Sequence, residues 1–253
     1  MPLIIAHRAL TPGGIENSCG GIARAALVGA DIVELDVRLS VDGTPFLLHD
    51  ALLGRTTHGH GPIRLLPTSL LRAVRLRGSD GERLPTLKEV LAELPDSLEA
   101  GLHVKIFREV NGALRAVSEA GVAERTWFWL GEPAALAHVR AMLPSARVTL
   151  LDPSAHTTEA RLAYIERAAN AEARAISLPW SALSSSLIGP AHQRGLLVFS
   201  LLQPRHDIRS GLEAGVDGII TADPAQTSEA VAAWRTAQRL EMTQANPGER
   251  ESI

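Results

Sequence analysis

The sequence has a single cysteine, Cys19. It cannot close an internal disulfide or build a thiolate metal site alone. No specific base is evident beside it, so it reads as a small, half-buried residue near a helix start. Aromatic residues make up only 4% of the chain, so the core must be built from Ala, Leu, Val and Ile. No apolar run approaches the roughly 18 residues of a spanning helix. Leu3-Ile4-Ile5-Ala6 is far too short for a signal segment, and no basic region precedes it. Positive charge is not in excess. The formal net charge is −3, so no basic field attracts nucleic acid and no charged block marks a disordered tail. No glycine-rich dinucleotide loop follows the first apolar run. These absences leave a globular protein whose simplest location is the cytoplasm. Nothing in them specifies an oligomeric partner.

What is present fits one α/β domain. The chain has 253 residues, 45% of them apolar, a size that suits a single barrel. Leu3–Ala6 reads as a buried strand. Glu16 through Val28 reads as a helix ended by Gly29. Asp31–Val37 is the next strand, Asp42-Gly43 a turn, and Pro45–Leu48 another strand. Gly54 to about Pro67 reads as a surface loop. Thr86 and Glu89 form a capping box for the following helix. Further strands are expected at Leu102–Phe107, Thr126–Leu130, Arg147–Leu151, Ala175–Leu178, Leu196–Leu201 and Gly218–Thr221. Helices near Ala134–Ala141, Thr158–Ala171 and Arg209–Ala214 lie between several of them.

This alternation is the signature of a parallel α/β fold. No linker and no internal repeat divides it, so one domain is expected over residues 1–241. A polar tail follows over 242–253, containing Pro247-Gly248. The expected fold is a TIM-type (β/α)8 barrel. An open doubly wound sheet is the alternative. Nine strand-like segments are one too many for a barrel, and the Asp42-Gly43 turn is too short for a parallel crossover. Either one segment is not a barrel strand, or the second and third are joined irregularly.

Charged groups stand at the ends of the first apolar runs: His7 after Leu3–Ala6, Glu34 and Asp36 within Asp31–Val37, and His49 after Pro45–Leu48. A barrel builds its active site from side chains delivered at strand ends. Glu34 and Asp36 are two apart and can face one side. Two buried carboxylates without compensation are costly, and a divalent metal offsets that cost. The alternative is a salt-bridged strand end. The set suggests two histidines exchanging protons around a carboxylate-held metal that neutralises an anion. Period two puts His103 and Lys105 on one side of their strand. Asp50 can bond a ring nitrogen of His49 or hold the loop after it. His58, His60, His138, His156, His192 and His206 show no paired metal spacing. Trp127, Trp129, Trp180 and Trp234 read as packing residues. Trp180, just after Pro179, is the best candidate to line a substrate pocket.

In order along the chain stand His7-Arg8-Ala9, Glu16-Asn17, Glu34-Leu35-Asp36, Asp42-Gly43, His49-Asp50, Arg55-Thr56-Thr57, Pro85-Thr86-Leu87 and Gly215-Val216-Asp217-Gly218-Ile219-Ile220-Thr221. This ordered collection resembles the glycerophosphodiester phosphodiesterase family. The resemblance implies a barrel that hydrolyses small phosphodiesters to glycerol 3-phosphate and an alcohol. It implies His7 and His49 as the acid/base pair and Glu34 and Asp36 as ligands of one divalent metal, Mg²⁺ or Ca²⁺. It also implies Arg8 and Lys105 as phosphate contacts, with Glu16 binding metal or orienting Arg8. A neighbouring glycerol hydroxyl could attack phosphorus to give a cyclic phosphate, or water could attack directly.

Position 103 departs from the family, which places a metal-binding Glu there. His103 is neutral and softer, better suited to Mn²⁺ or Zn²⁺ than to Ca²⁺. Ala9 replaces the usual Gly. Phe199-Ser200-Leu201-Leu202 replaces Trp-Thr-Val-Asn, which removes a polar amide and bears on head-group choice. Two alternatives stand beside the small diester: a phospholipase D-like enzyme acting on lysophospholipid or sphingomyelin-type substrates, and a noncatalytic phosphate-ligand binder.

Overall fold

A computed structural model describes the backbone of residues 1–245 and the side chains of 1–240. Nine strands are present among these: β1 (Leu3–Ala6), β2 (Ile32–Leu39), β3 (Pro45–Leu47), β4 (Glu99–Val104), β5 (Thr126–Leu130), β6 (Arg147–Leu150), β7 (Ala175–Ser177), β8 (Leu197–Leu201) and β9 (Gly218–Thr221). All but β3 pair in parallel around a closed ring, and β9 and β2 both pair with β1. The fold is therefore an eight-stranded (β/α) barrel. β3 is the surplus segment. It runs antiparallel to the outer end of β2, with Val37 opposite Leu47 and Leu39 opposite Pro45. The hairpin turns at Gly43, whose φ of +83° suits a residue without Cβ. The first true crossover from β2 leads to β4.

Alternation along each strand sorts the core into two layers. Ile5, Ile32, Trp127, Trp129, Ala175, Phe199 and Ile220 fill the barrel interior. Val33, Leu35, Leu102, Phe128, Val148, Ile176 and Val198 face outward against the helices. At the lower end, Glu99 accepts from Trp127 Nε1 and Arg147 Nη1, both at 2.6 Å.

The helices are α1 (Cys19–Leu27), α2 (Thr68–Leu71), α3 (Leu87–Ala92), α4 (Val110–Ala120), α5 (Pro133–Met142), α6 (Thr158–Asn170), α7 (Ser185–Gln193), α8 (Ile208–Ala214) and α9 (Pro224–Ala245). Several boundaries differ from expectation. α1 begins at Cys19 rather than Glu16, because Ser18 caps it by accepting from Gly21 N at 2.9 Å. β4 covers Glu99–Val104 rather than 102–107, and a 3-10 turn starts at Phe107. The capping box of Thr86 and Glu89 is present. α9 runs past Met242, and the remainder of the expected tail lies outside the described residues.

The chain from Leu48 to Leu84, expected in part as a plain loop, forms a cap beside the barrel mouth. It has its own core of Leu48, Leu53, Ile63, Leu71, Leu76 and Leu84, joined to Phe46 of β3. No helix among the described residues is long and apolar enough to cross a membrane.

Candidate active site

β2 explains why two acids are buried together. Ile32, Glu34 and Asp36 occupy successive interior positions, while Val33, Leu35 and Val37 take the outer face. Each acid is only 1% exposed. Their parallel register on β4 sets Glu34 opposite Gly101 and Asp36 opposite His103. His103 Nδ1 lies 3.6 Å from Glu34 Oε1 and 3.5 Å from Asp36 Oδ1. Ligand atoms of these three residues all lie within 4.8 Å of one another. Asp36 Oδ1 makes no well-directed hydrogen bond, although Lys105 Nζ ion-pairs with it at 2.8 Å. Two buried carboxylates, an imidazole and an under-bonded oxygen suit a divalent cation.

The loop after β1 closes over this group. Arg8 and Ala9 both take φ of +55°, the left-handed region that L-residues rarely adopt. A glycine, which the resemblance leads us to expect at position 9, would adopt this conformation without strain. The turn points Arg8 N at Glu34 Oε2, 2.8 Å away. His7 Nε2 stands 3.9 Å from the same oxygen. Burial pushes the His7 pKa below its ordinary value, against the pull of Glu34. Arg8 Nε is 3.5 Å from Asp36 Oδ2, and its Nη1 donates to Glu16 at 3.2 Å. Burial alone would lower His103, but the nearby Asp36 and Glu34 carboxylates outweigh it and raise its pKa. Burial likewise lowers Lys105, opposed by Asp36. The Asp36 carboxyl is held well below the usual carboxylate range. Burial works against this, but His103, Lys105 and Asn17 overcome it.

His49 enters from the other side, just past β3. Its Nδ1 lies 2.7 Å from Asp50 Oδ1, and its carbonyl accepts from Lys105 Nζ at 3.0 Å. Lys105 therefore joins the His49 segment to Asp36. His7, Arg8, Glu16, Glu34, Asp36, His49, Asp50, His103 and Lys105 are linked in one network at one end of the barrel. Glu16 pairs with Arg8 and Arg55 and stands outside the three-residue metal group.

Trp180 does not join them. Its ring lies against Gly211 of α8, where an added Cβ would sit 2.5 Å from Trp180 Cζ2. Its Nε1 donates to Asp207 O at 3.1 Å and Ser210 Oγ at 3.2 Å. The short turn after Pro179 swings the indole outward between helices, so the expectation that it lines the pocket is corrected to a packing role.

Three further residues had no role assigned from sequence. Buried Asn17 donates to Asp36 Oδ2 at 3.1 Å and accepts from Asp36 N at 2.9 Å. Arg38 donates to His49 O at 3.3 and 3.1 Å. Arg55 grips Glu16 through Nη1 (3.1 Å) and Nη2 (2.5 Å) and Asp50 through Nε (2.5 Å). Arg38 follows Glu34 and Asp36 at period two along β2, the one signal in the sequence that could have found it. Arg55 and Asn17 lie in loops, where spacing carries no direction. A cavity of about 670 Å³ opens beside Arg38, His49, Asp50, Leu52, Arg55 and His60.

The profile of the glycerophosphoryl diester phosphodiesterase family matches residues 7–226. The chain belongs to that family. It is 29% identical over 234 residues to a glycerophosphodiester phosphodiesterase of Caldanaerobacter subterraneus, covering 88% of this chain and 94% of that one. It is 36% identical over 123 residues to human glycerophosphodiester phosphodiesterase 1, a match spanning 46% of this chain and about a third of the human protein (36%). A phosphodiesterase from Oleispira antarctica, solved with the product sn-glycerol-3-phosphate, superposes with a TM-score of 0.79 at 22% identity. The match covers 92% of this chain and 97% of that one. At that identity the likeness speaks for the barrel alone. Membership places this chain in a family of phosphoric diester hydrolases.

Proposed function

We propose that the protein hydrolyses small glycerophosphodiesters to glycerol 3-phosphate and an alcohol, using one divalent cation. The observation that carries this reading is the convergence of Glu34, Asp36 and His103 with His7, Arg8, Lys105 and the His49 loop. A cation held by Glu34, Asp36 and His103 would supply positive charge where the phosphoryl oxygens bind. Arg8 and Lys105 hold the anion beside it. Neutral His7 is able to accept a proton. Asp50, beside His49 Nδ1, orients that ring and leaves Nε2 for the opposite transfer. Such a reaction suits a cytoplasmic enzyme of glycerol and lipid breakdown. A lysophospholipid-type substrate is the second reading, favoured by the size of the cavity beside His49 and by exposed Leu52 on its wall.

Release of glycerol 3-phosphate from a panel of small diesters, and of lysophosphatidic acid from lysophospholipids, tests this, run with Mg²⁺, Ca²⁺, Mn²⁺ and Zn²⁺ separately. The small diesters should be cleaved best. His7→Ala and His49→Ala should each lose roughly 10²–10⁴-fold in turnover while remaining folded. No release with any ion, alongside retained binding of glycerol 3-phosphate, would make the protein a binder rather than an enzyme.

A further inference from the structure

We propose that the cap over residues 48–84 is a docking surface for an anionic phospholipid bilayer. This goes beyond the hydrolysis reading and stands without it.

The first observation is charge. Between Leu48 and Leu84 the chain carries Arg55, Arg64, Arg72, Arg75, Arg77 and Arg83, against Asp50, Asp80 and Glu82, in a protein whose net charge is −3. The cap is therefore a basic island on an otherwise acidic molecule. Arg55 and Arg72 are committed to carboxylates. The other four pair with none among the described residues.

The second is arrangement. Three short extended pieces of the cap lie side by side. Thr57 pairs with Leu76, and Arg75 with Arg83. Hydrogen bonds His58 N to Arg75 O, Arg77 N to Thr56 O and Leu76 N to Glu82 O fix the register. Thr57 and Leu76 are buried on the inner side. Alternation then places His58, Arg75, Arg77 and Arg83 together on the outer side, and all four are exposed. Arg75 and Arg83 face each other directly, a cross-strand pairing of like charges that destabilises a sheet. Folding does not call for this row, whereas a negatively charged surface offsets its repulsion.

The third is apolar exposure in the same cap. Leu52, Leu65 and Leu70 are 60%, 57% and 58% exposed, while the cap's own core is filled by other residues. Exposed leucines singly are ordinary. Exposed leucines in the same cap as arginines that no carboxylate neutralises have the chemistry of an interfacial binder: basic groups at the lipid headgroups, apolar groups below them. The cap also carries Leu52, which lines the cavity beside His49. Docking would bring that cavity next to the lipid surface.

Co-sedimentation of the full chain with vesicles is the test. Phosphatidylcholine vesicles should leave the protein in solution. Vesicles that also contain phosphatidylglycerol should bind it at low salt and release it as salt rises, because the attraction is screened. Arg75→Ser with Arg83→Ser should weaken that binding about tenfold or more. Leu65→Ser with Leu70→Ser should also weaken it. Neither pair touches the reaction site, so hydrolysis of a soluble diester should match the parent. Arg75→Lys with Arg83→Lys retains charge and should retain binding, which separates charge loss from misfolding. Equal binding to neutral and anionic vesicles would overturn the proposal. So would no association with anionic vesicles, including the case where an acidic polypeptide binds instead, or undiminished binding by the serine pair.

Discussion

Arg55 illustrates how one side chain can hold two halves of a site in register. It ties Glu16, and through it Arg8, to Asp50, and through it His49. Its hydrogen bond holds the Asp50 carboxyl down at about 2. Removing the guanidinium frees both carboxylates and the orientation of His49. Arg55→Ala should cost about 10- to 100-fold in kcat, the range typical when a group orienting a functional histidine is lost. Arg55→Lys should recover little, since a point charge cannot grip two carboxylates in a fixed fork. A full parent rate in Arg55→Ala would remove it from the positioning network. The same pair predicts a pH effect of definite sign. Because the folded Asp50 pKa lies below its ordinary 3.8, its stabilisation is complete above about pH 4. It is lost as pH falls through about 2. Acid unfolding of Asp50→Asn should show a shallower dependence across that window.

His103 is the residue at which chemistry is most open to redesign. Its ring meets both buried carboxylates. His103→Glu adds a hard anionic oxygen donor, so it should shift ion preference toward Mg²⁺ or Ca²⁺ and away from Zn²⁺. Isothermal titration with each ion checks this without reference to turnover. An unchanged preference order would place His103 outside the first shell of ligands.

Among the elements, those with local chemistry stand where their residues put them. Thr86 accepts from Glu89 N at 3.2 Å and Glu89 returns to Thr86 N at 2.9 Å. Thr86→Ala should cost about 1 kcal/mol in chemical denaturation, the usual loss for a cap. The start of α1 was less legible. Its first amides are satisfied by Ser18 and by Glu82, whose Oε1 accepts from Cys19 N at 2.6 Å. Glu82 comes from the cap, far along the chain, so the helix start depends on a tertiary contact. Cys19 beside it has its thiol pushed up to about 11, chiefly by burial, which agrees with its reading as an unreactive, half-buried residue. β3 is the complementary case. Its apolar pattern matched a barrel strand, but the Asp42-Gly43 turn allowed only a hairpin, and turn length decided.

At the scale of the whole molecule, the barrel closes because bulky interior groups meet glycines. An added Cβ at Gly218 would stand 2.5 Å from Phe199 Cδ1, whereas at Gly101 the nearest atom is 3.3 Å away. Gly218→Ala should therefore cost about 1–3 kcal/mol, and Gly101→Ala clearly less. Urea unfolding of both resolves the order, and equal losses would show that the interior relaxes freely around Phe199.

The barrel, its first helix–strand units and the core of the site were legible in sequence because each rests on short-range order. Apolar period two sorted β2 into outer Val33, Leu35 and Val37 and inner Glu34 and Asp36, and strand ends delivered His7 and His49. Spacing on one strand also placed His103 and Lys105 on a shared side. Only the tertiary structure decided what depends on contacts across loops: the grip of Arg55 and Asn17, the outward turn of Trp180, and the folding of residues 48–84 into a cap. Periodicity assigns a side chain to a face, but a loop has no period. Where its side chains arrive is settled by the packing and hydrogen bonds that close it.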